Sequence, residues 1–95
     1  MDDYVKMLEI ARKCIGIIKS VSPDEADYLE SFLDVGEPDL AVAKALDITH
    51  DKPELLKLFP ESVRQLTKNS DYPAIQIYAG LFDYPNLNQV FPASD

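Results

Sequence analysis

Ninety-five residues, 46% of them hydrophobic, with 17 acidic side chains against nine basic ones and a single cysteine, describe one folded domain. A chain of that size buries a modest core without needing disulfides or a structural metal. A formal net charge of −8 sets it against nucleic acid, whose phosphates it repels, and no run approaches the roughly 18 apolar residues of a membrane span.

The start Met1-Asp2-Asp3-Tyr4 carries the wrong sign for a secretory signal, and one cysteine forms no internal disulfide, so the expected compartment is the reducing cytoplasm. The first helix is predicted over Asp3 to Lys19, with Asp2 or Asp3 as its cap. Tyr4, Leu8, Ala11, Ile15 and Ile18 make one apolar stripe, and Met7, Ile10, Cys14 and Ile17 a second beside it. So wide a face makes this the expected central helix. Cys14 reads as a small buried hydrophobe. Gly16 costs about 1 kcal/mol in a helix interior relative to alanine, which points to a neighbouring helix approaching closely there.

Ser22-Pro23-Asp24-Glu25 opens the second helix, Pro23 to Asp34: a serine cap, a proline in the first turn, and a glutamate placed to reach back to the Ser22 amide. Gly36 suits the left-handed position that ends it, and Pro38 begins a third helix running to about Ile48. Ala26, Leu29, Phe32 and Leu33 face inward, while Asp24, Asp27, Glu30 and Asp34 point away. Alanines at 41, 43 and 45 keep the third helix thin. Asp51 is placed to cap a short helix over Pro53 to Phe59, followed by one from Pro60 to about Asn69 and a last from Ala74 to Phe82. Residues 83–95 form a tail that either lies on the core through Leu87, Val90 and Phe91 or frays. The expectation is an all-α protein, a single compact bundle of five to six short helices spanning 1–95.

The charge is unevenly spread. Between Asp24 and Glu54 ten acids stand against Lys44 and Lys52, a net of minus eight; the other seven acids are matched one for one by seven cations. The whole excess therefore sits on the second and third helices and their exit. A basic protein partner is its natural complement.

Chemistry is poorly represented. The three glycines build no phosphate loop, and no Cys/His or Ser/His pair has a supporting acid nearby. Asp47, His50, Asp51 and Glu54 have a spacing that would gather metal ligands on one helical face, but Pro53 interrupts that helix, and His50 reads better as a helix C-terminal residue. The expectation is a non-enzymatic protein with no metal and no cofactor. Tyr28, off the core stripe and among acids, is the aromatic best placed for a binding surface.

The run Glu25-Ala26-Asp27-Tyr28-Leu29-Glu30-Ser31-Phe32-Leu33-Asp34-Val35-Gly36-Glu37-Pro38-Asp39-Leu40-Ala41-Val42 resembles the signature of small helical immunity proteins of bacterial toxin systems, the MafI-type and some contact-dependent growth inhibition immunity proteins among them. In these a helix ends in an acidic-glycine-glutamate turn and a second helix with Leu-Ala follows at once. The likeness covers roughly residues 4 to 50. It implies a cytoplasmic antidote that binds a cognate toxin, often a nuclease, and blocks its active site or substrate path. Charge and likeness together nominate Asp27, Tyr28, Glu30, Asp34, Glu37 and Asp39 as partner-binding residues, each carboxylate facing a toxin Lys or Arg. The alternative is a helical adaptor that docks a partner helix in an apolar groove near Ile75 to Phe82.

Overall fold

Three helices carry most of the apolar residues, and packing them together accounts for most of the architecture. A computed structural model of the protein describes residues 3–82. In chain order these form α1 (Asp3–Lys19), α2 (Pro23–Asp34), α3 (Pro38–Thr49), a 3₁₀ helix (Pro53–Leu58), α4 (Glu61–Leu66), α5 (Pro73–Gln76) and α6 (Ala79–Phe82). The protein is all-α, and among the described residues there is no strand. The expected tail 83–95 and the capping role of Asp2 lie outside the described residues.

Helix α3, rather than α1, is the centre. Of its 12 residues Pro38, Ala41, Val42, Ala43, Ala45, Leu46 and Thr49 are buried, whereas α1, with 17, buries only Met7, Ala11, Cys14, Ile15 and Ile18. The alanines are the reason: they leave α3 thin enough to be packed by α1, α2, α5 and the 3₁₀ helix together. Large side chains from those neighbours, Ile18, Leu29 and Ile75 among them, fill the space with no exposure left. Each such side chain contributes about 1.5–3 kcal/mol by leaving water. Tyr4, expected on the α1 stripe, is 49% exposed, so the buried stripe begins at Met7. Burial raises the Cys14 thiol to about 12, and it packs as an inert hydrophobe.

Two buried hydroxyls are satisfied locally. Thr49 Oγ1 donates to the Leu46 carbonyl at 2.7 Å and Thr67 Oγ1 to that of Arg64 at 2.6 Å. A single turn back to a helical carbonyl is the short route available to a threonine with no other polar neighbour.

Beyond His50 the chain is held by isolated anchors. Leu55, Leu56, Phe59, Val63 and Ile75 are buried, one or two from each short segment up to α5, and α6 buries none fully. The short helix expected over Pro53 to Phe59 is a tighter 3₁₀ helix ending at Leu58, and the single helix expected over Ala74 to Phe82 is broken. At the break the Tyr78 amide donates to the Ile75 carbonyl, three residues back, at 3.0 Å, and that tightening separates α5 from α6.

Gly16 departs most from expectation. A Cβ built on it meets nothing within 4 Å, so no neighbouring helix uses its small size.

Candidate interaction surface

The α2–α3 hairpin is built by local chemistry at each corner. Ser22 is the N-cap of α2: its Oγ accepts from the Glu25 amide at 3.4 Å, and Pro23 occupies the first turn. The other half of the expected capping box is absent, because the Ser22 amide donates to the Ile18 carbonyl at 2.8 Å and so closes α1. At the far end Gly36, at φ +76°, takes the left-handed conformation that a side chain resists. The Glu37 amide reaches the Phe32 carbonyl at 2.8 Å and the Gly36 amide that of Leu33 at 3.1 Å, the paired bonds of a Schellman end. Buried Pro38 then starts α3 at once.

This frame fixes where the six nominated residues stand. Asp27, Glu30 and Asp34, at three- and four-residue steps, form an exposed row along one flank of α2. Glu37 is exposed in the turn, and Asp39 is half-buried in the first turn of α3. Tyr28 is not beside the row. At about 100° per residue it lies roughly 160° around the helix from Glu30. Its ring, 53% exposed, sits edge-on to Phe32 with centroids 5.3 Å apart and planes at 78°. Val35, seven residues further and 67% exposed, extends that aromatic flank. The surface is therefore a ridge with acids down one side and an apolar strip down the other. Val35 was missed in the sequence reading. Its spacing from Tyr28, two helical turns, was the available signal.

None of the row is neutralised from within. Arg64 pairs with Glu61, 3.6 Å apart inside α4, whereas Asp27, Glu30, Asp34, Glu37 and Asp39 form no ion pair among the described residues. Like charges one turn apart repel by a few tenths of a kcal/mol per pair. Asp34 also faces the negative end of its own helix, whose last turn holds no basic residue.

A second concavity, about 430 Å³, lies where Asp47, His50, Ile77, Tyr78, Gly80 and Leu81 meet. The Tyr78 hydroxyl donates to Asp47 Oδ1 at 3.2 Å across 31 residues of sequence. Partial burial raises the Tyr78 hydroxyl above its ordinary value, and the Asp47 charge and hydrogen bond raise it further. Asp47 is thereby engaged with a phenol, and among the described residues no three His, Cys, Asp or Glu side chains assemble as a metal site.

No family model, curated protein or solved structure matches the chain. Fold and surface define a small all-α domain whose second and third helices present an acidic ridge with no cation partner among the described residues. None of the helices described is long and apolar enough to cross a membrane.

Proposed function

We propose that the protein is a cytoplasmic immunity protein that binds a cognate bacterial toxin and neutralises it, the α2–α3 ridge occupying the basic cleft of a nuclease domain. The observation that carries this reading is the row Asp27, Glu30, Asp34, left without a cation partner among the described residues on a helix that it destabilises. A nuclease cleft is shaped to take a string of phosphates. A row of carboxylates about 5–6 Å apart on a convex helix imitates such a string. Opposite fields then speed encounter by about ten- to a thousandfold at low salt. Tyr28, with Phe32 and Val35 behind it, supplies the apolar contact that slows release. The likeness of residues 25–42 to MafI-type and contact-dependent growth inhibition immunity proteins supports the same reading. On it the protein acts by binding, with no catalysis, metal or cofactor of its own.

The test co-expresses the chain with the protein encoded immediately upstream and scores growth, then measures affinity across salt for wild type and a Glu30→Lys, Asp34→Lys variant. Rescue by wild type, together with weaker and less salt-dependent binding by the variant, is the expected result. Unchanged affinity in the variant removes the ridge from the interface. A second reading, an adaptor that docks a partner helix, is favoured by Ile77, 73% exposed beside the concavity at Tyr78 and Leu81. It predicts that Leu81→Ser impairs partner binding while the ridge reversals do not.

A further inference from the structure

Glycine in the middle of a long helix weakens it, and at Gly16 the structure supplies no internal reason for one, since the space above it is empty out to 4 Å. Gly16 opens onto a groove of about 520 Å³ lined by Lys13, Gly16, Ile17, Ser20, Leu58 and Pro60. Lys13, Gly16 and Ile17 of α1, with Ser20 in the turn just past its end, recur at steps of three and four and make one wall. Leu58, at the end of the 3₁₀ helix, makes the other and is 61% exposed, among the most exposed large apolar side chains described. Half-buried Ile17 and Pro60 complete the apolar lining.

The charge beside this groove is opposite to that of the ridge. Along α1 the exposed charged residues are Asp3, Lys6, Glu9, Arg12, Lys13 and Lys19, four cations against two acids, with Arg12, Lys13 and Lys19 at the end that carries the groove. Glu61, next in sequence to Pro60, is already engaged within α4 by Arg64 at 3.6 Å and by the Gln65 amide at 2.9 Å. Lys13 thus stands over an apolar trough on the cationic face of an otherwise anionic protein.

We propose that this groove docks an acidic amphipathic helix of a protein partner, with an apolar side chain seated between Ile17 and Leu58 above Gly16 and a carboxylate on Lys13. A helix fits because the α1 wall offers grooves at the spacing of another helix's ridges, and the missing side chain at Gly16 lets the two axes approach closely. Acidity follows from the sign of the face. The inference stands apart from the ridge and does not rest on the proposed toxin.

The probe is a fluorescein-labelled peptide of about 14 residues, leucines at three- and four-residue spacing and glutamates elsewhere, titrated into the full chain by anisotropy at low salt. Saturable binding is expected, weakened about tenfold or more by Gly16→Leu or Leu58→Glu and about fivefold by Lys13→Glu. Gly16→Leu should melt at or above wild type, because leucine favours the helix and the space is open, so its loss of binding reports a filled groove. The same peptide with lysines in place of glutamates should ignore Gly16→Leu. No saturation, or equal affinity for Gly16→Leu and wild type, overturns the proposal. So does a concentration-dependent dimer that Gly16→Leu abolishes, which gives the groove to a second copy. Saturation found only in a Leu87→Ser, Phe91→Ser variant overturns it too, by assigning the groove to the chain's own last residues.

Discussion

The α2–α3 hairpin and the segment after His50 are built on opposite plans. In the hairpin each corner is set by a residue acting on its immediate neighbours: Ser22 on Glu25, Gly36 on Phe32 and Leu33, Pro38 at the start of α3. After His50 the elements shrink to six residues or fewer, and their placement comes from buried anchors and the Tyr78 to Asp47 hydrogen bond. Helices of four to six residues do not hold together unaided in water. The first plan can carry an electrostatic cost on its outer surface because its geometry is over-determined. The second has no such reserve.

That contrast can be broken in several places. Leu29→Ala, which empties a fully buried site between α2 and the other helices, should cost about 2–5 kcal/mol in denaturant unfolding. If it costs less than 1 kcal/mol, α2 is not integral to the core. Gly36→Ala, forced to φ +76°, should cost about 1–2 kcal/mol and keep the far-ultraviolet circular dichroism of wild type. Glu30→Lys with Asp34→Lys should move the other way, stabilising the free protein by about 0.5–1 kcal/mol through relief of repulsion and of the helix-end charge. The gain should shrink as salt is raised. A loss of stability in that variant means that the row makes favourable contacts inside the protein.

The smallest expected effect concerns Tyr78. Its hydroxyl is raised above the ordinary 10.0, so the stabilisation it provides is complete below about pH 10 and is lost as pH climbs through the raised value. Wild type should therefore lose stability more steeply than Tyr78→Phe in alkaline titrations. At pH 7 the variant should differ by less than about 1 kcal/mol, and hydrogen exchange should show any loosening confined to residues 73–82. Equal alkaline slopes would remove the phenol from the tether.

Structure made by near neighbours is legible in the sequence. The limits of α1, α2 and α3 follow from Ser22, Pro23, Gly36 and Pro38, whose effects reach no further than four or five residues. The row Asp27, Glu30, Asp34 was legible for the same reason. Tyr28 was misplaced by reading along the chain: sequence neighbours on a helix point about 100° apart, and that arithmetic already separates it from Glu30. Other errors had no local remedy. Glycine inside a helix often marks a close neighbour, and nothing in the sequence tells that the Gly16 side of α1 is open.

By itself the sequence determined which segments are helical, where the first three begin and end, and that the excess negative charge lies on the second and third and their exit. Tertiary structure alone decided that thin α3 and not broadly apolar α1 is enclosed, that the last helix breaks at Tyr78, and that the acids of α2 find no cation among the described residues. The division has a physical source. Caps and turns act over a few bonds and are written in adjacent residues, whereas burial and charge pairing depend on which distant surfaces meet, as Asp47 and Tyr78 do across 31 residues.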